Sequence, residues 1–182
     1  MSSRSRRILV LAILGLLVLA PVCIWWLWVP EDRTHSRQFK ADLIAVLDTA
    51  HRIELVEHSH PFDYGMVEDL EEAPFIEYKR LELTSGQRAE LQHSLKKMND
   101  APQAMSLCLF ENHHTMVLYD AKNEMRDVIQ ICFKCGDTEW GGTRVQAPED
   151  FHNVFKQFIE PLGFQAERDW VELAAKSFDA AD

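Results

Sequence analysis

The sequence predicts an α+β protein in which one N-terminal transmembrane helix is followed by a small antiparallel sheet with helices packed on one face. Two observations lead to this prediction. An apolar run without charges extends from Ile8 to Val29, and strand-like and helix-like patterns alternate through the rest of the chain. A β-meander in the middle of a chain, with amphipathic helices beside it, is typical of an antiparallel sheet covered by helices.

The apolar run has the length of a membrane span. A helix of roughly 22 residues is about 33 Å long, which is enough to cross a bilayer core of about 30 Å. Arg4, Arg6 and Arg7 precede the run, so we expect the N-terminus to be cytoplasmic and the rest of the chain extracytoplasmic. The alternative is a cleaved secretory signal, which would release the domain, but the apolar region of such a signal is only about 7–15 residues long.

This interpretation divides the chain into four parts. We predict a basic cytoplasmic tail at residues 1–7, a transmembrane signal-anchor at 8–30, a short tether at 31–37 and a single soluble α+β domain at 38–182. The predicted protein is therefore a single-pass protein of the cell membrane. The last part has the usual size of one domain and is long enough to bury a core.

The net charge of the chain indicates which kinds of partner the protein can bind. The chain has 29 Asp and Glu against 19 Lys and Arg, for a formal net charge of −10. An acidic surface repels the phosphate backbone, so a nucleic-acid function is excluded. We expect contact with the membrane through the N-terminal helix, and binding to a protein or an envelope component.

The apolar patterns predict four helices and five strands in the domain. Helical spacing indicates helices at Ser36–Ala50, from Thr84 or Ser85 to about Met98, at Glu149–Phe158 and, weakly, at Arg168–Phe178. Alternating or short apolar runs indicate strands at Arg52–Glu57, Phe75–Leu83, Met105–Phe110, Thr115–Tyr119 and Val128–Phe133.

Cysteines and histidines are grouped around the predicted meander. Cys132 and Cys135 form a C-x-x-C, and Cys108 is followed five residues later by His113, with His114 next to it. The register of the predicted strands gathers these residues at one end of the meander. Their chemistry then has three interpretations.

The first interpretation is a structural zinc site. Three thiolates and one imidazole complete a tetrahedral Zn²⁺ shell of Cys108, His113, Cys132 and Cys135, with His114 as the alternative nitrogen ligand. The second is a stabilising disulfide between two of the three cysteines, with the third buried. The third is a redox-active C-x-x-C, although this one follows a strand, whereas a thioredoxin-type motif opens a helix.

The same residues carry a resemblance. C-L-F-E-N-H-H at Cys108–His114 and I-C-F-K-C at Ile131–Cys135 resemble a family of small uncharacterised bacterial proteins, in which a motif close to C-F-x-P-R-H-G is followed by C-F-x-C. The similarity extends weakly to R-I-E-L at Arg52–Leu55. The cysteines and the first histidine match the family's positions, but Glu111-Asn112 replaces Pro-Arg, and His114 replaces Gly. The resemblance implies that these residues belong together and implies no reaction.

No common catalytic motif accompanies the cluster. The chain lacks a phosphate-binding glycine loop, an H-E-x-x-H and a G-x-S-x-G. We therefore expect a non-enzymatic binding or structural module without catalytic residues, in which the Cys/His cluster fastens the meander. The alternative is a thiol-redox or metal-dependent envelope enzyme that uses Cys132 and Cys135.

Overall fold

The computed structural model describes residues 35–65, 73–104 and 106–179. Within these residues the chain forms an α+β fold with four α-helices and a six-stranded, open antiparallel sheet. The strands are β1 (Arg52–His58), β2 (Glu77–Glu82), β3 (His114–Tyr119), β4 (Met125–Cys132), β5 (Asp137–Trp140) and β6 (Thr143–Val145). The helices are α1 (35–49), α2 (Ser85–Lys97), α3 (Phe151–Ile159) and α4 (Trp170–Asp179).

The strand order in the sheet is β2-β1-β3-β4-β5-β6, so only β1 and β2 depart from the order of a simple meander. Every neighbouring pair is antiparallel. The last hairpin turns at Gly141 and Gly142, whose φ angles are 59° and 78°. Two consecutive positive φ angles are typical of the tight turns that match the twist of a hairpin, and glycine adopts them without strain.

The apolar core lies between one face of the sheet and the first three helices. The register pairs Ile53 with Leu118 and Leu55 with Met116, and Met116 in turn lies opposite Ile129. Because side chains alternate along a strand, these residues share one face. The helices cover this face with buried side chains, which include Phe39, Leu43, Leu47, Leu91, Leu95, Phe151, Phe155 and Phe158.

The start of α2 has the local sequence that favours a helix. Thr84 precedes the helix, and its hydroxyl accepts a hydrogen bond from the backbone N–H of Gln87 at 3.3 Å. In return the Gln87 side chain accepts one from the backbone N–H of Thr84 at 2.9 Å. This capping box pairs two backbone donors that the first turn leaves unpaired.

One predicted strand is absent. Residues 106–110, the described part of the Met105–Phe110 run, are irregular, and Leu107 is fully exposed. The apolar pattern there predicted burial in the meander, but both edges of β3 are already paired, with β1 and β4. The run therefore cannot pair with β3, and β5 and β6 extend the sheet beyond β4 instead.

The structure contradicts the transmembrane part of the predicted fold class. No helix in residues 35–65, 73–104 and 106–179 is long and apolar enough to cross a membrane. Helix α2, for example, has 13 residues and several charged side chains, whereas a span needs about 20 apolar residues. The predicted span at 8–30 lies outside the described residues. The single-pass membrane location and the extracytoplasmic placement depended on that span, and they are not supported.

Candidate ligand-binding pocket

Ionisable residues occupy one end of the core face of the sheet. Glu57 follows Ile53 and Leu55 on the same side of β1, and it lies directly opposite His114, the first residue of β3. Only 1% of Glu57 and 3% of His114 are exposed. A carboxyl and an imidazole buried this deeply need polar partners, because their transfer from water is otherwise unfavourable.

Glu57 obtains its partners from the segment that leads into α4. One carboxylate oxygen lies 2.8 Å from Nη2 of Arg168, and the other accepts a hydrogen bond from the backbone N–H of Gln165 at 3.0 Å. Burial by itself raises the pKa of Glu57, but the nearby His114 imidazole, the Gln165 N–H and the Arg168 guanidinium outweigh burial and lower it. Glu57 is therefore ionised at neutral pH.

His114 is held between this carboxylate and aromatic rings. Its Nε2 lies 3.7 Å from the second Glu57 oxygen and has no hydrogen-bond partner in the described parts of the chain. Its ring contacts Phe133 and Trp170 edge-to-face, at centroid distances of 5.0 and 5.7 Å. Burial lowers the pKa of His114, and the attraction of Glu57 only partly opposes this.

His113 points to a different set of partners. Its Nε2 donates a hydrogen bond to Asp63 at 2.9 Å, and its ring stacks on the Trp170 indole at 4.1 Å with the planes 5° apart. Asp63 lies in a short 3-10 turn, Pro61–Tyr64, and also accepts a hydrogen bond from the backbone N–H of His60 at 2.7 Å. The turn thus fixes the carboxylate that orients the His113 ring.

Trp170 connects these groups. It is the first residue of α4, and its indole stacks on Tyr78 at 6.2 Å as well as on His113. The guanidinium carbon of Arg168 lies 5.2 Å from its ring centroid. Aromatic and cation–π contacts of this kind restrict the position of the indole.

These side chains enclose a pocket of about 400 Å³. We call it the histidine pocket, and it is lined chiefly by His113, His114, Phe133, Lys134, Arg168 and Trp170. Its volume falls in the range of about 300–1,000 Å³ that is usual for small-molecule sites. A wall of aromatic rings with a few polar atoms is the usual composition of such sites.

The predicted zinc ligands are only partly brought together. Cys108 and Cys135 form a disulfide with a Cα–Cα distance of 5.8 Å, while Cys132 is a buried free thiol. His113 and His114 line the histidine pocket. No group of three or more His, Cys, Asp or Glu side chains within the described ranges is arranged to hold a metal ion. The arrangement is that of the disulfide interpretation, and the zinc shell stays a prediction.

Sequence reasoning singled out His113 and His114 but missed the residues that hold them and Arg168 in place. Glu57 and Arg168 were assigned only to a strand and a weak helix, and Asp63 and Trp170 were not singled out. One signal for Glu57 was available, because the alternation of β1 places it on the same side as Ile53. Its partner Arg168 had no comparable local signal.

Comparison of the chain with protein-family models, curated proteins and solved structures finds no match. The resemblance to the bacterial family with the C-F-x-P-R-H-G motif therefore stays a prediction.

Proposed function

We propose that this protein is a non-enzymatic binding module whose ligand occupies the histidine pocket, and that its disulfide is structural. The observation that supports this most directly is the rigid stack of His113 on Trp170 at 4.1 Å in the wall of an open pocket. His113 is anchored by Asp63, and Glu57 holds Arg168. Side chains that are already fixed lose little freedom when a ligand binds, which favours affinity.

The disulfide supports the pocket from outside. It attaches Cys108, in the irregular segment that leads into His113, to Cys135 in the turn between β4 and β5. Lys134, the residue before Cys135, lines the pocket and pairs with Glu111 at 2.8 Å. The bond therefore restrains two separate stretches of the pocket wall.

A thiol-redox enzyme that uses Cys132 and Cys135 is the less favoured alternative. Cys132 is buried, and burial raises the pKa of its thiol. Reactive thiols have a lowered pKa and some exposure, because the thiolate is the nucleophile. Cys135 is moreover paired with Cys108 and not with Cys132.

The binding proposal is tested by ligand-observed NMR with a fragment library and the full chain. We expect hits that compete with one another for wild type and are lost in Trp170→Leu. The matched control is Gln146→Ala, which alters a separate cavity of about 680 Å³ and should keep the hits. If no fragment binds the folded wild type, or if Trp170→Leu retains all hits while folded, the proposal is wrong.

The structural role of the disulfide is tested by counting thiols in denaturant. Among the three cysteines of the described residues, we expect only Cys132 to be alkylated before reduction and all three after it, as identified by peptide mass spectrometry. Zinc removal by a chelator should not change this count or the melting temperature. Alkylation of all three in unreduced denatured protein, together with a melting temperature that falls in chelator, would favour the zinc shell instead.

A further inference from the structure

The polar atoms of the histidine pocket indicate the chemical class of its ligand. We infer, on the basis of the proposed binding function, that the ligand carries a carboxylate, which accepts hydrogen bonds from Arg168 and lies beside His114. The rest of the ligand is a compact apolar group that packs against Phe133 and Trp170. The inference follows from which hydrogen-bonding groups of the wall are already used.

The carboxylates in and beside the wall already accept hydrogen bonds from other residues. Both oxygens of Glu57 have donors, one from Arg168 and one from Gln165. Glu111 accepts from Lys134 at 2.8 Å, and Glu167 accepts from Lys156 at the same distance. A ligand that only donates hydrogen bonds therefore finds both oxygens of the buried Glu57 already bonded, and only the second oxygens of Glu111 and Glu167 remain.

The donors of the wall are not all used. Nε of Arg168 is buried and has no hydrogen-bond partner in the described residues, although Nη2 of the same side chain is bound to Glu57. A guanidinium N–H can only donate, so a buried one without an acceptor is unfavourable until an oxygen reaches it. Lys134 has three N–H donors, of which one contacts Glu111. The buried, unpartnered Nε2 of His114 is a further polar atom of the same wall.

The charges near the pocket favour a carboxylate over a phosphate. Arg168 and Lys134 supply two positive charges, and Glu57, Glu111 and Glu167 supply three negative ones, in a chain of net charge −10. A singly charged carboxylate has two oxygens in a plane, which suits a guanidinium edge. A doubly charged phosphate meets stronger repulsion from the same three carboxylates.

The remaining wall favours an apolar body on the ligand. Phe133 and Trp170 present aromatic rings, and Ala166, which also lines the pocket, is small and buried. Burying an aromatic or branched aliphatic group against these surfaces contributes the main favourable free energy of binding. Benzoate and phenylacetate are therefore suitable probes.

The inference is tested by calorimetric titration of the full chain with matched acids and amides. We expect benzoate and phenylacetate to bind at least about tenfold more tightly than benzamide and phenylacetamide, and more tightly than inorganic phosphate. Arg168→Lys keeps a positive charge beside Glu57 but removes the planar guanidinium. It should weaken binding of the acids by about fivefold or more and leave the weak binding of the amides unchanged.

Arg80→Lys is the matched control, because Arg80 pairs with Glu54 on the other face of the sheet. It should leave binding of the acids unchanged. Amides that bind as tightly as the acids and compete in the same pocket would overturn the carboxylate inference but leave the binding module intact. The comparison of acids with amides uses wild type alone, so it tests the carboxylate inference even if Arg168→Lys does not fold. Failure of every probe and every fragment would overturn the binding proposal itself.

Discussion

The two ends of the core face differ in chemistry although they are equally buried. At one end Ile53 lies opposite Leu118, and at the other end, on the same two strands, Glu57 lies opposite His114. All four residues are at most 3% exposed. Burial of the first pair stabilises the fold directly, whereas burial of the second is unfavourable unless partners are supplied. The fold therefore retains the second pair at a cost in stability, which is typical of a functional site.

The partners of the two ends come from different parts of the chain. The apolar end is covered by the first three helices, which pack as one cluster with the sheet. The ionisable end is covered by the stretch before α4, and the hydrogen bond from Gln165 to Glu57 joins residues 108 positions apart. The pocket is therefore completed only when the last part of the described chain is in place.

The largest effect on stability is expected at the apolar end. Leu118→Ala removes a fully buried side chain and should lower the free energy of unfolding by about 3–4 kcal/mol, as cavity-forming substitutions do. Urea denaturation measures this change. Leu107→Ala is the control, because Leu107 is fully exposed and its loss should change stability by less than about 0.5 kcal/mol. Equal effects for the two variants would contradict the described core.

A smaller effect is expected at the ionisable end. Arg168→Met leaves Glu57 buried without its guanidinium and should cost about 2–3 kcal/mol. This is below the roughly 3–5 kcal/mol of fully buried pairs, because the Arg168 side chain is 22% exposed. Adding Glu57→Gln to this variant should recover at least about half of the loss, since no charge is then left unpaired.

The matched comparison for this pair is Arg80→Met. The Arg80 side chain also pairs with a glutamate, Glu54, but it is 42% exposed, so its loss should cost less than about 1 kcal/mol. If Arg168→Met and Arg80→Met lower the free energy of unfolding equally in urea, the Arg168–Glu57 ion pair contributes no more to stability than an exposed pair does. If the double variant is less stable than Arg168→Met, the explanation by an unpaired Glu57 is wrong.

The fold was more predictable than the pocket for a physical reason. Strands β1, β3 and β4 follow from local alternation and short apolar runs, and the capping of α2 follows from Thr84. The pairing of Glu57 with Arg168 depends on a contact between distant segments, which no local pattern records. Met105–Phe110 shows the opposite failure, since its apolar pattern is local but both sides of β3 are occupied by β1 and β4.

The cysteines show a third limit of sequence reasoning. The spacing of Cys108, Cys132 and Cys135 is compatible with a disulfide, a metal site and a redox motif. The fold brings Cys108 and Cys135 together, and their Cα atoms, 5.8 Å apart, have the usual separation of a disulfide. The membrane prediction failed differently, because it rested on residues 8–30 and the described residues contain no helix able to span a membrane.

Lowering the pH should destabilise the ionisable end of the core face and leave the apolar end unaffected. Burial lowers the pKa of His114 and of His58 below 6.5, so between that value and the folded pKa the unfolded chain binds more protons than the folded one. The contribution of each neutral histidine to the free energy of unfolding is therefore fully present above about pH 6.5 and is lost as pH falls through the folded pKa. The loss is at most about 1.4 kcal/mol per pH unit. The pKa of Glu57 is lowered too, so its contribution is lost only as pH falls further, below 4.5.

Urea denaturation at about pH 7.5, about 6.5 and about 5.5 measures this dependence in the range where the histidines titrate. His114→Gln should reduce the loss of stability between the last two values, because glutamine does not titrate. Leu118→Ala should be less stable than wild type at every pH but show the wild-type slope, since it changes no ionisable group. A wild-type slope in His114→Gln would mean that this histidine does not contribute to the acid sensitivity. A changed slope in Leu118→Ala would mean that the apolar and ionisable ends of the sheet do not act independently.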